Sequence, residues 1–112
     1  KNDFLKTAKL CADLKIDGIK IHPLYVMMGT KLAENYEKEK FKLLELDEYI
    51  KILSEIIGLL PENTIIMRFT AEGDKNFLLA PEYCKPEYKN IIKEKLIKYM
   101  KENNIKQGMQ YK

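Results

Sequence analysis

The sequence predicts an α/β fold, and three observations carry that prediction. Two short stretches rich in β-branched residues, the run opening at Gly18 and Thr64–Thr70, read as strands. Between them lies the clearest amphipathic helix of the chain, and further helical patterns flank both. Strands joined by long helical crossovers pair in parallel, because a short turn cannot return a chain to a parallel neighbour.

The elements follow in order. Asp3 to Lys15 reads as a helix that Asn2 or Asp3 can cap, with Phe4, Ala8, Cys11 and Ala12 recurring at helical spacing. Asp17-Gly18 forms a turn, and the run from Gly18 to Met28 follows as one buried strand. Thr30 is placed to cap a short helix whose inner face carries Leu32, Ala33 and Tyr36. Glu37 to Lys40 alternates in charge and reads as a solvated helix end. From Leu46 to Leu60 the residues Leu46, Tyr49, Ile50, Leu53, Ile56, Ile57 and Leu60 make one apolar stripe, and Pro61 stops the helix. Thr64 to Thr70 is the second strand, Glu72-Gly73-Asp74 a turn, and Phe77 to Ala80 an apolar segment of open type. Pro86 suits the first turn of a last helix, with Tyr88, Ile91, Ile92, Leu96 and Tyr99 as its buried stripe. Asn103 and Asn104 end it, and Gln107-Gly108 lies in a tail.

At 112 residues the chain is one domain or a piece of one. Its 46% hydrophobic and 33% charged residues suffice for a core and exclude disorder. A net charge of +3 is too small for an electrostatic case about nucleic acid. Eight lysines against Glu87, Glu94 and Glu102 give the segment from Lys85 onward +5, which leaves −2 for the rest. No apolar run is long enough to cross a bilayer. Cys11 and Cys84 lie far apart, match no metal spacing, and read as free thiols of a reducing cytoplasm. The chain opens on Lys1 in what reads as mid-element, as an excised segment would. Two strands make a poor sheet, so it either borrows strands from a second copy or leaves the rest of its sheet in a parent protein.

Chemistry concentrates on the strands. Alternation sends Ile19 and Ile21 to one side of the first, and Lys20 and His22, the single histidine, to the other. In the second, Ile65, Met67 and Phe69 take one face and Ile66, Arg68 and Thr70 the other. Arg68 is the one arginine in a chain of 19 lysines, which suits a fixed-geometry or bidentate role. With helices on the apolar faces, Lys20, His22, Arg68 and Thr70 would converge on a shared interior, beside loops carrying Glu72 and Asp74. The plainer alternatives are a hydrogen-bonded structural histidine and an Arg68 paired with a carboxylate such as Glu72. No spacing supports a Ser/His/Asp triad, a phosphate-cradling glycine loop or a zinc site.

The run Leu14-Lys15-Ile16-Asp17-Gly18-Ile19-Lys20-Ile21-His22-Pro23-Leu24-Tyr25-Val26, followed by Gly29-Thr30-Lys31-Leu32-Ala33, resembles a radical S-adenosylmethionine (SAM) family. That family is related to the elongator catalytic subunit and to oxygen-independent coproporphyrinogen oxidase. The resemblance continues through Phe41 to Leu44, Glu48-Tyr49, Leu60-Pro61, Arg68-Phe69-Thr70, Leu79-Ala80-Pro81 and Gln107-Gly108. It implies the carboxyl-terminal third of such a protein: a fragment of a partial (β/α) barrel, two to three strands with flanking helices in residues 1–83, and a helical extension in 84–112. The parent would hold a [4Fe–4S] cluster and SAM, and the cofactor would supply the radical chemistry of an oxidoreductase or transferase. Cys11 and Cys84 match no cluster position, so this chain alone is expected to bind neither group and to be inactive. The resemblance places Lys20, His22, Leu24 and Tyr25 near SAM. His22 would be a proton donor or hydrogen-bond partner, Arg68 a carboxylate or phosphate clamp, and Thr70 and Glu72 part of the substrate cavity. Met28 stands where many members carry lysine. The expected partners are the rest of the parent barrel, an unidentified substrate and, through exposed sheet edges, further copies of the chain. An alternative reading is an RNA-binding or protein-interaction module built on the basic last helix, with Tyr88, Tyr99 and Tyr111 nearby.

Overall fold

The computed structural model describes residues 2–38, 42–70, 74 and 76–111. Among the described residues four helices and four short strands follow in the order α1 (Asn2–Asp13), β1 (Gly18–Lys20), β2 (Val26–Met27), α2 (Lys31–Glu37), α3 (Leu46–Leu59), β3 (Ile65–Arg68), β4 (Leu78–Ala80) and α4 (Lys89–Glu102). Two single-turn 3₁₀ segments, Glu82–Cys84 and Pro86–Tyr88, lead into α4. The parallel crossover is present, since β1 pairs with β3 in parallel across α2 and α3.

The expected long first strand is broken in two. Pro23 is the reason: it has no N–H to give to a ladder, and the chain leaves the β1–β3 sheet there. The residues beyond it form β2, which pairs antiparallel with β4. The apolar segment of open type is thus a strand, and the count is four short strands in two pairs rather than two or three in one sheet.

Helix α3 is the centre of the molecule. Tyr49, Ile50, Ile52, Leu53, Ile56 and Ile57 are all buried, with α1 packed on one flank and α4 on the other. Ile92 and Leu96 of α4 lie in the same core. Glu48 Oε1 accepts from the Glu45 N–H at 3.2 Å and closes the first turn of α3. Thr30 caps α2 as its sequence suggests, its Oγ1 accepting from Ala33 N at 3.1 Å. Helices α1 and α4 both end through a left-handed residue, Lys15 and Asn104, each at φ 53°.

The tail is part of the fold. Gln107 Nε2 donates to Pro61 O at 2.8 Å and to Thr64 O at 2.7 Å. Gly108 N and Gln110 N donate to Ile57 O and Gly58 O at 3.2 and 2.8 Å, which satisfies carbonyls that the end of α3 leaves open. Residues 107–110 therefore strap the end of α3 to the loop that feeds β3.

Candidate functional site

The strand pair β1–β3 has a covered face and an open one. Ile19 and Ile66, partners in the register, pack with Ile21 and Phe69 against the helical core. On the opposite face Ile65 and Met67 are 65% and 62% exposed, beside exposed Lys20 and Arg68. This corrects the face expected for β3. The register shifts between Ile19/Ile66 and Lys20/Arg68, so Met67 and Arg68 together oppose one residue of β1. Such a bulge breaks strict alternation, keeps both side chains on the open face and returns Phe69 to the helices. The open face thus carries two apolar side chains of β3 with a facing pair of cations at one end, where a polar wall was expected.

Lys20 and Arg68 stand directly across from each other in the register. Like charges facing one another on neighbouring strands destabilise a sheet. Among the described residues neither has a carboxylate partner within salt-bridge distance. The pair thus places two positive charges side by side on the open face, a repulsion that a shared anion would relieve. Arg68 contributes a planar, permanently charged fork and Lys20 a mobile point charge.

The other expected site residues are dispersed around this pair. His22 is exposed at the end of β1, its Nδ1 3.4 Å from Pro23 O. A carbonyl only accepts, so Nδ1 can take part in this contact only as the donor. Leu24 is 57% exposed in the segment after His22, whereas Tyr25 is half-buried against the core. Thr70 is only 3% exposed, away from the open face. Glu72 lies outside the described residues, and of the loop expected around it Asp74 is described: its Oδ1 accepts from Asn76 N at 2.9 Å.

A buried polar cluster fixes the strand end from behind. Tyr49 and Tyr83 stack with ring centroids 5.9 Å apart. The Tyr49 hydroxyl donates to Phe69 O at 2.9 Å, the residue after Arg68, and the Tyr83 hydroxyl donates to Leu44 O at 2.8 Å. Burial, with Tyr83 and Cys84 adding to it, raises the Tyr49 pKa above the ordinary phenol value. Burial likewise raises Tyr83, helped by Cys84, Glu45 and Glu48, and pushes the Cys84 thiol up to about 11. These groups stay neutral at physiological pH and serve as props. The apolar periodicity of α3 hid this role of Tyr49, whose hydroxyl the stripe treats as core.

The chemistry of the donor set does not fit an iron–sulfur cluster. The sequence has two cysteines; Cys84 is fully buried behind Tyr83, and Cys11 packs on the core from α1. Among the described residues no three His, Cys, Asp or Glu side chains gather as a metal site, and no helix is long and apolar enough to cross a membrane.

The chain is 35% identical to YtqA of Bacillus subtilis over 77 residues, covering 69% of this chain and 24% of that one. It is 29% identical to YhcC of Escherichia coli K12 over 90% of its length, and to MJ0486 of Methanocaldococcus jannaschii over 97%. It spans 24 to 34% of the length of these curated relatives. Among solved structures, Methanocaldococcus infernus Elp3 with an N-terminal deletion superposes with a TM-score of 0.70 at 21% identity, over 92% of this chain and 25% of that one. At that identity the likeness is one of fold. Residues 16–98, which include both strand pairs and the core helix α3, match the family described as Radical_SAM C-terminal domain, and on that match the chain belongs to this family.

Proposed function

We propose that this chain forms the late-strand wall of a partial barrel in a radical SAM enzyme, with its open face lining the cavity for SAM and substrate. One observation carries the reading. A parallel sheet is normally covered on both faces, yet here Ile65 and Met67 stand bare on β3, next to the facing pair Lys20 and Arg68. An apolar floor with a few convergent polar groups is the composition of a small-molecule site.

In this reading the cluster is held by a longer protein, and SAM supplies the radical chemistry there. This chain's residues bind and orient. Arg68 clamps a carboxylate or phosphate on its fork, and Lys20 balances the second negative charge. His22 offers a ring nitrogen as a hydrogen-bond partner to the bound group. Tyr49 holds the Phe69 carbonyl and thereby the direction in which Arg68 leaves β3. The cations of α4 favour the RNA alternative less, since Lys95 is 3.8 Å from Asp47 and Lys98 is 3.9 Å from Glu102.

The test is Arg68→Ala and His22→Ala in a protein of the relatives' length, with SAM cleavage and substrate turnover as readouts and circular dichroism as the folding control. Loss of a charged hydrogen bond should lower turnover about tenfold or more for Arg68→Ala, and less for His22→Ala. Unchanged turnover in both variants overturns the reading.

A further inference from the structure

A hollow of 1030 Å³ lies apart from the open face of β1–β3 and shares no residue with it. It is bounded by the end of α2, the loop that enters α3, the end of β4 and the two 3₁₀ segments before α4. Its polar lining is Tyr36, Glu37, Lys42, Glu45, Glu82, Tyr83 and Tyr88, and every other lining residue is apolar.

Charge and aromatic rings set this hollow apart. Three glutamates stand against Lys42 within the lining, in a chain whose net charge is +3. Lys85 tempers that charge from outside the lining, 3.8 Å from one Glu82 oxygen. The Tyr83 pKa is raised first by burial and then by Cys84, Glu45 and Glu48. That of Tyr88 is raised by burial, by its hydrogen bond to Glu82 and by the charges of Glu82 and Glu87. Three of the chain's seven tyrosines border the hollow. Tyr83 is fixed by its stack on Tyr49 and by the bond from its hydroxyl to Leu44 O, while Tyr36 and Tyr88 are half-buried. The Glu45 carboxylate is held in the capping box of α3. The walls are thus in place before any ligand arrives, which lowers the cost of binding.

We propose that this hollow binds a small organic cation carrying an ammonium group. A phosphate or carboxylate ligand would be repelled by Glu37, Glu45 and Glu82. A metal ion is a poor match, since among the described residues no three His, Cys, Asp or Glu side chains gather closely enough to hold one. Carboxylates spread around aromatic rings suit a bulkier cation. The ring faces attract its charge. Each carboxylate has lone pairs beyond those it uses within the chain, and these balance the charge or accept its N–H groups. The volume is at the upper end of the range for small-molecule sites and leaves room for an apolar body against Leu46 and Pro81.

The site is separate from Lys20 and Arg68, so neither assignment stands or falls with the other. The probe is choline, titrated into a protein of the relatives' length with ring-labelled tyrosines and followed by NMR. The control is the uncharged isostere of choline in which carbon replaces nitrogen. The expected result is saturable movement of the Tyr36 and Tyr88 ring signals with choline, and binding of the isostere about tenfold weaker or less. Tyr88→Leu removes a ring and should weaken choline about three- to thirtyfold, whereas Tyr88→Phe keeps the ring and should stay within about twofold. Glu82→Gln alters an exposed side chain, keeps the fold, and should weaken choline about two- to fivefold. Absence of a saturable shift overturns the proposal. Equal binding of the isostere overturns it by making the hollow merely apolar. Choline binding that neither Glu82→Gln nor Tyr88→Leu weakens overturns it by placing the cation elsewhere.

Discussion

Where β1 and β3 begin, backbone and side-chain polar groups have partners: Asp17 O takes Ile65 N, Thr64 Oγ1 reaches Ile16 O at 3.5 Å, and Gln107 bridges Pro61 and Thr64. Towards the other end of the same strands, Lys20, His22, Met67 and Arg68 are exposed and the two cations face each other. The closed end is built from groups that satisfy one another within the chain. At the open face Lys20 and Arg68 have no carboxylate partner among the described residues. In the proposed reading, binding belongs to that region and stability to the other, as in α/β proteins that bind ligands at the carboxyl ends of their strands.

The largest effect expected is the loss, at alkaline pH, of the buried cluster that holds the end of β3 from behind. Tyr49, Tyr83 and Cys84 have raised pKa values when folded, so the folded state holds their protons more tightly than the unfolded chain does. Their contribution is fully present below the unfolded values of 9.0 for the thiol and 10.0 for the phenols, and is lost as pH rises beyond them. Urea midpoints should be flat from neutrality to about pH 9 and fall above it. Tyr49→Phe should flatten that fall while lowering stability at neutral pH, because the Phe69 carbonyl loses its donor. A fall equally steep in Tyr49→Phe would remove Tyr49 from the account.

Two glycines measure the contrast directly. Gly108 and Gly29 share φ 83°, a left-handed conformation that costs any L-residue about 1–2 kcal/mol. At Gly108 a Cβ would also lie 3.1 Å from the Glu62 backbone nitrogen, whereas at Gly29 nothing lies within 4 Å. Gly108→Ala should therefore cost about 2–4 kcal/mol and Gly29→Ala about 1 kcal/mol by denaturant unfolding. Equal costs would mean that the strap is no tighter than the loop at the open end. Between them comes Gln107→Ala, at about 1–3 kcal/mol, since it takes the amide donor from the Pro61 and Thr64 carbonyls. An unfolding midpoint unmoved by Gln107→Ala would show that water replaces the amide at no cost.

The closed parts were the more legible in sequence. The stripe of α3, the Thr30 cap, the Pro61 stop and the Asn104 end all depend on neighbours within a few residues. The α/β class followed from element order alone. What escaped depends on partners far along the chain. The strap joins Gln107 to Pro61 and Thr64, more than 40 residues apart. The division of the first strand depends on β4, which offers β2 a partner once Pro23 has ended the ladder with β3. The bulge at Met67 and Arg68 leaves no mark in the hydropathy pattern, so alternation put Ile65 and Met67 on the wrong face. At the site, alternation put Lys20 and Arg68 on a shared side and Arg68 stood out as the one arginine, but the exposed apolar pair Ile65 and Met67 beside them was not expected.

The smallest effect expected is at Met67, and it is the one that tests what the open face is for. In this chain Met67 is 62% exposed and close to Gly18, so Met67→Gln exchanges one solvated side chain for another. Its effect on the unfolding of this chain should lie within about 0.5 kcal/mol. In a protein of the relatives' length, where the proposed cavity takes the face out of bulk water, the new amide is desolvated. It should then cost about 1–3 kcal/mol unless the cavity offers it a partner. Met67→Leu, which keeps the side chain apolar, separates desolvation from altered shape: it should be mild in both settings. A glutamine as harmless in the long protein as in this chain would mean that the face stays wet there. Lys20 and Arg68 would then point into solvent, with no cavity for them to line.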